Sequence, residues 1–306
     1  MNTPSAPKVS VCIPTYNYGR YIGDAVSSVL SQSYRDLELI VVDNCSTDDT
    51  RRICEGFIEK DARMRYFCNP VNLGMVGNWN RCMELARGEY VKILCADDML
   101  EAGCIARSAE IMERDSNVSL VTGTRLFVSE KLQPLLERSY SDRFRIVAGN
   151  RAIRTCLMFG NVIGEPSAVM FRRADVSAPF DDRLKQLIDL DMWIRILEKG
   201  DLASIPEPVC RFRQHADQGT ADNIRSQAFI DEELWLYRHY SGKRPGMTPL
   251  HRMVAKLTLV FRIYKLGYSR NPELVKQTLC REVGVGYFLA IHCAKSVKEL
   301  IFKQKH

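Results

Sequence analysis

Acids stand directly behind runs of β-branched residues in this chain. Leu39-Ile40-Val41-Val42 ends in Asp43, and Tyr90-Val91-Lys92-Ile93-Leu94-Cys95-Ala96 ends in the adjacent pair Asp97-Asp98. A third run, Val9–Ile13, stops in Pro14-Thr15-Tyr16-Asn17. Ligands of open α/β sheets bind in the crevice outside the carboxyl ends of the strands. Paired carboxylates at such an end suit a hard divalent cation that bridges phosphates. Together these segments predict a nucleotide-sized pocket and an enzyme acting on a nucleotide diphosphate.

Strand and helix patterns alternate through the first half, which signals a mostly parallel sheet. Ile22, Ala25, Val26, Val29 and Leu30 recur at helical spacing after the first strand. Ser46-Thr47-Asp48-Asp49 offers N-cap chemistry for a helix that buries Ile53, Cys54, Phe57 and Ile58. Met64–Phe67 reads as a short strand and Asn69–Gly74 as a loop, with a helix from there to Ala86. Glu101–Arg114 and Gly149–Phe159 are predicted helices, and Val118–Thr122 and Arg125–Ser129 predicted strands. Gly164-Glu165-Pro166-Ser167 is a turn entering a strand, and Asp189–Gly200 a helix with two acids, Asp189 and Asp191, in its first turn. From about Phe229 the pattern is helical throughout, with a break at Ser241–Pro249. The expected division is a domain of residues 1–228 and a basic helical region of 229–306.

Of 306 residues, 46% are apolar and 26% charged, an ordinary balance for a folded globular chain. The eleven cysteines form no CxxC pair and sit mostly in apolar runs, so buried thiols in a reducing cytoplasm are expected and a zinc site is not. Residues 1–8 contain no apolar core of the signal-peptide kind. Charge is uneven: residues 236–306 hold 14 Lys/Arg against 3 acids, leaving residues 1–235 at −5 in a chain of +6. A basic tail calls for an anionic partner, and lipid headgroups and nucleic acid both qualify on charge. No stretch reaches the ~20 apolar residues that span a bilayer. In the tail, Leu257, Leu259, Val260, Phe261 and Tyr264 stand among Arg252, Lys256, Arg262 and Lys265, which fits an apolar face buried against the body first and peripheral membrane contact second. Nucleic-acid binding is not expected, since it rests on charge alone.

Taken together, Val11–Asn17, Val41–Asp49, Asn72-Leu73-Gly74 with Asn80, Ala86–Tyr90, Leu94–Leu100, Asp189–Gly200 and Arg211–His215 resemble family-2 glycosyltransferases of the GT-A fold. These pieces are each weak, but their order and spacing are specific, and they cover roughly residues 8–220. The resemblance implies an inverting hexosyltransferase that moves a sugar from a nucleotide-diphosphate donor, expected to be a UDP-sugar, to a hydroxyl of a glycan or lipid-linked acceptor. It further implies Mg²⁺ or Mn²⁺, a setting in bacterial surface polysaccharide assembly, and a location in the cytoplasm or at the cytoplasmic face of the inner membrane.

Residue by residue, the resemblance gives Asp43, with Pro14, Thr15, Tyr16 and Asn17, to the nucleobase and ribose. An isolated Asp behind a strand would more often close a turn. Asn72 and Asn80 line the donor side with Cys95 and Ala96, and Arg213 is either a diphosphate contact or a surface charge. Arg211 is either a further diphosphate contact or a surface charge. Asp97 matches the metal ligand, while Cys95 replaces the family's first acid, and a thiol is a poor ligand for a hard ion. Asp98 either joins the metal or caps the following helix. His215 either approaches the metal or serves the fold. Asp189 matches the general base, with Asp191 the second candidate, although Ile188 stands where the family has Glu. Both acids would also suit a helix N-terminus for electrostatic reasons alone. Trp193 reads as core or as a wall of the acceptor site. Competing readings are a nucleotide-sugar-binding protein without turnover and a sugar nucleotidyltransferase. The latter lacks a Gly-rich phosphate loop after the first strand, and a dehydrogenase is a weaker reading still, since no GxGxxG follows a strand.

Overall fold

The computed structural model describes residues 6–216, 228–242 and 247–284. The chain divides into two compact units, Met1–Cys156 with Asn161–Gln218, and Leu157–Gly160 with Gly219–His306.

The first unit is built on one sheet. β1 (Val9–Thr15) and β2 (Leu37–Asp43) are buried along their whole length, which is why apolar residues stand on both of their faces, and the buried Ser10 and Glu38 that interrupt them hydrogen-bond to each other. β3 (Met64–Cys68), β4 (Tyr90–Ile93), β5 (Met99–Leu100), β6 (Val118–Ser129), β7 (Pro134–Arg138), β8 (Arg145–Val147), β9 (Val169–Arg172) and β10 (Asp201–Gln214) complete it. The order is β3-β2-β1-β4-β9-β6-β10-β5, with β7 on β6 and β8 on β10. β3, β2, β1 and β4 are mutually parallel, as are β6 and β10. β9 runs antiparallel between β4 and β6, so the expected parallel sheet describes the first half and the second half is mixed. Helices α1 (Gly19–Leu30), α2 (Thr50–Ile58), α3 (Gly74–Leu85), α4 (Cys104–Arg114), α5 (Gly149–Phe159) and α6 (Ile188–Leu197) accompany these strands.

Several boundaries depart from the sequence reading. The two strands expected at 118–122 and 125–129 are one continuous β6, and Gly123 sits inside it against Val209 and Ile205. α4 starts at Cys104, three residues later than expected, because Gly103 takes a left-handed φ of 72°. No strand is expected from the sequence over Asp201–Gln214, which forms β10. Its Pro206 and Pro208 break the strand pattern, and its ladder to β6 is irregular there. The exposed strands β7 and β8 carry no apolar face that would mark them in the sequence.

The second unit packs three further helices: α7 (Ala228–Ser241), α8 (Pro249–Gly267) and α9 (Pro272–Val283). Phe229, Ile230 and Leu234 meet Leu259, Val260, Ile263 and Tyr264 of α8 and Val275 and Leu279 of α9 in one core. Thr248 caps α8 by accepting from the His251 amide, with Pro249 at the first helical position. None of the described helices is long and apolar enough to cross a membrane. The ten cysteines among the described residues are unbridged.

Candidate active site

Parallel pairing in the register Thr15↔Asp43 carries the ends of β1 and β2 to the same edge of the sheet. There Asn17, at a positive φ of 56°, ties the two loops: its amide donates to Ser46 Oγ and its Oδ1 accepts from the Thr47 amide, both at 2.8 Å. Asp48 holds the start of both following helices, accepting from the Gly19 amide (2.8 Å) and the Thr50 amide (3.1 Å). Asp43 is buried, and both its oxygens already serve the fold. Oδ1 accepts from the Ser46 amide at 2.8 Å and Oδ2 from the Tyr66 hydroxyl at 2.5 Å. A carboxylate has about four lone-pair sites, so these contacts leave capacity for a nucleobase donor. Pro14 lies inside β1, and Tyr16 is 43% exposed. Thr15 is buried, and its Oγ1 has no hydrogen-bond partner among the described residues.

Beside this edge lies an asparagine network that residue types alone did not reveal. Asn44 donates to Asn72 Oδ1 (2.7 Å) and accepts from the Leu73 amide, while Asn69 donates to both Asn44 and Asn78. Asn72 is thereby fixed as the hinge of the loop that starts α3, since its Oδ1 also accepts from the Gly74 amide. Asn80 is spent differently from the expectation. Its amide pairs both ways with the backbone of Phe180, donating at 3.1 Å and accepting at 2.8 Å, which makes it a strut.

The end of β4 brings Cys95, Asp97 and Asp98 together, with one donor atom of each within 4.8 Å of the others. Asp97 Oδ2 lies 3.0 Å from His215 Nε2, so a residue 118 positions away joins it. The His215 side chain is almost fully buried among the rings of Tyr21 (4.8 Å) and Tyr18 (5.9 Å), and its Nδ1 has no partner among the described residues. Tyr18, unmarked by the sequence, faces the same acids: burial and then the charge of Asp97 push its phenol well above the ordinary range. Asp97 and His215 form a donor pair that fits Mg²⁺ or Mn²⁺. Asp98 fits less well than its sequence position implied. It is fully buried, Oδ2 accepts from Ser167 Oγ at 2.5 Å and Oδ1 from the Arg213 amide at 3.0 Å. Burial, then the neighbouring Asp97 charge, raise its carboxyl well above the usual carboxylate range. Asp98 therefore reads as the clasp between this loop, β10 and the turn at Ser167, which also accepts from the Cys95 amide.

Ala96 is buried in the same loop. Arg213 departs from the expected diphosphate contact. Its guanidinium is buried, donates to Asp24 Oδ2 at 2.7 Å and lies 4.7 Å from the Tyr21 ring centre. Arg211 is a half-exposed surface charge paired with Glu101 at 2.5 Å.

α6 separates the two candidate bases. Asp191 is buried and paired with Arg195 Nε at 2.9 Å, and that guanidinium also donates to the carbonyls of Ala178 and Pro179. This is a structural clamp, not the second base candidate of the sequence reading. Asp189 is partly buried at the first turn, accepting from the Leu190 amide (2.7 Å) and Asn161 Nδ2 (2.8 Å). Burial, then the nearby Glu165 carboxylate, raise its carboxyl to about 7 against those hydrogen bonds. Glu165 itself accepts from Arg125 Nη1 through Oε2 at 2.9 Å. Arg125 is 5% exposed at its side chain, so this ion pair is firmly seated. Gly164 lets the turn pass at a φ of 119°; a Cβ there would lie 2.5 Å from Arg125 Nη1. Trp193 is core, packed on Phe171, and donates to the Gly164 carbonyl at 3.0 Å. One turn, residues 161–167, therefore holds Asp189 through Asn161, raises its carboxyl through Glu165 and clasps the Asp98 loop through Ser167.

Comparison with known proteins agrees with this geometry. Residues 10–177, more than half of the chain, match the model of Glycosyl transferase family 2. The putative teichuronic acid biosynthesis glycosyltransferase TuaG of Bacillus subtilis is 32% identical over 194 residues, 63% of this chain and 73% of that protein. An uncharacterized Mycobacterium tuberculosis protein is 33% identical over 214 residues, so the chain spans about two-thirds of that relative's length. Among solved structures, S. aureus TarS 1–349 in complex with UDP-GlcNAc superposes with a TM-score of 0.63 at 17% identity, covering 95% of this chain and 92% of that one. The mannosyltransferase PcManGT of Pyrobaculum calidifontis, in complex with GDP-Man and Mn²⁺, superposes with a TM-score of 0.59 at 17% identity, covering 96% and 81%. These structural likenesses give the GT-A fold. With a matching family model, the GT-A sheet and the acids at its strand ends, the chain belongs to glycosyl transferase family 2.

Proposed function

We propose that this protein is an inverting glycosyltransferase that moves a sugar from a nucleotide-diphosphate donor, a UDP-sugar by the Asp43 reading, to a hydroxyl of a glycan or lipid-linked acceptor in surface polysaccharide assembly. One observation carries the reading: the end of β4 gathers donor atoms of Cys95, Asp97 and Asp98 within 4.8 Å of one another, with His215 3.0 Å from Asp97, beside the edge that carries Asp43. Asp189, with its carboxyl near 7, is poised to take the acceptor hydroxyl's proton near neutral pH. Asn161 and the Leu190 amide orient it, and Glu165 sets its basicity. Thr15, Asn17 and Asp43 form the nucleobase and ribose side. A cation held by Asp97 and His215 would neutralise charge on the departing diphosphate.

The test is a binding panel of UDP-, GDP- and dTDP-sugars, each with and without Mn²⁺. One donor class should bind with metal-enhanced affinity. Binding of none, or equal binding of all with no response to Mn²⁺, would overturn the reading.

A further inference from the structure

Among the described residues, α8 has one fully buried apolar side and, opposite it, an apolar stripe that stays partly exposed. Ala255, Leu259 and Ile263 face the core shared with α7 and α9 and are essentially unexposed. At 100° per residue, Leu250, Val254, Leu257 and Phe261 fall within an arc of about 60° on the far side. Leu250 is 61% and Phe261 57% exposed, with Val254 and Leu257 half-buried between them. Met253, at the border of this stripe, is 50% exposed. The helix spans 19 residues without an acid and carries Arg252, Lys256, Arg262 and Lys265. Arg262 is paired with Glu233, while Arg252 and Lys265 are exposed. Residues 236–306 hold 14 Lys/Arg against 3 acids, and the rest of the chain is net negative.

An exposed apolar stripe on a cationic helix that cannot span a bilayer is the pattern of a helix lying in a membrane interface. Nucleic acid would satisfy the cations but offers nothing to Leu250 and Phe261. An anionic bilayer satisfies both, its acyl boundary taking the stripe while its headgroups attract Lys265 beside the stripe and the basic region as a whole. We infer that the second unit docks on an anionic lipid surface through the Leu250–Phe261 stripe of α8. Charge complementarity is the ground for choosing lipid over a second copy of the chain. The inference stands apart from the transferase reading, because vesicle binding is read without donor or acceptor.

The experiment is flotation of the full chain with vesicles of phosphatidylcholine alone or mixed with phosphatidylglycerol, at low and high salt. The protein should float with the anionic vesicles, weakly or not at all with the neutral ones, and less in high salt. The double variant Leu250→Gln, Phe261→Gln keeps helix propensity and should lose about tenfold or more of the bound fraction. Its thermal midpoint and circular dichroism should match the parent's, since neither side chain is in the core. Unchanged flotation of that variant would overturn the proposal, because the stripe would then not be the contact. So would flotation with neither vesicle, or a dimer in solution that the same variant dissolves. Equal retention of parent and variant on anionic vesicles and on DNA would reduce the tail to unspecific charge, which also overturns it.

Discussion

Replacing Asp189 by Asn should stabilise the protein while disabling it. The native carboxyl is raised from 3.8 to about 7 by burial and by Glu165, so holding it ionised in the folded state costs on the order of 4 kcal/mol. Part of that is lost to solvent screening, because the residue is only partly buried. An amide carries no charge to desolvate. It does offer one oxygen where the carboxylate offers two, so either the Leu190 amide or Asn161 Nδ2 loses its acceptor, at about 1 kcal/mol. The net expectation is a gain of roughly 1–3 kcal/mol above neutrality, a rise of several degrees in the unfolding midpoint. The sign follows from linkage. An acid raised in the folded state binds more protons folded than unfolded, so the parent loses stability as pH rises from about 4 to about 7. The Asn variant has no such loss, and its advantage should therefore be present near pH 8 and absent near pH 4. Donor affinity should hold, while turnover falls ~10²–10⁴-fold with loss of the base. Thermal unfolding at both pH values, a donor titration and a transfer assay read all three. Normal turnover, or a stability difference that does not change with pH, would refute the assignment of Asp189 as a buried base.

Glu165→Gln should move the acid limb of the kcat/KM profile to lower pH, because it removes the like charge that raises Asp189; an unmoved limb would show that burial alone sets it. Asp191→Asn should leave turnover nearly intact but lower the unfolding midpoint, since it breaks the Arg195 clamp without touching the reaction; calorimetry and the transfer assay separate the two effects. Asp97→Asn should remove the Mn²⁺ enhancement of donor binding while circular dichroism stays unchanged, and full metal dependence in that variant would relocate the ion. Cys95→Asp adds a further carboxylate beside Asp97, Asp98 and Asp189, so the metal-free protein should melt earlier and Mn²⁺ should recover part of the loss.

The alternation of buried strands with amphipathic helices made the first half of the sheet legible, because β1, β2 and β4 are covered on both faces and are mainly apolar, the buried Ser10, Glu38 and Lys92 apart. The acids behind those runs were legible for the same reason, since a strand end in a parallel sheet fixes where Asp43 and Asp97 must emerge. Local pattern could not reveal β10, whose prolines break its signal, or the antiparallel insertion of β9, which depends on pairing partners far away in the chain. The roles within the candidate site were decided by tertiary contacts. Asp98 and Asp97 are adjacent in sequence, yet Ser167 and the Arg213 amide occupy one while His215 meets the other. Asp189 and Asp191 have the same type and helix turn, and only the positions of Arg195, Asn161 and Glu165 tell clamp from base. Sequence by itself determines which chemical groups are present and which end of a strand or helix carries them. Solvent exclusion and neighbouring charge, which exist only after distant segments pack, determine what each group can do.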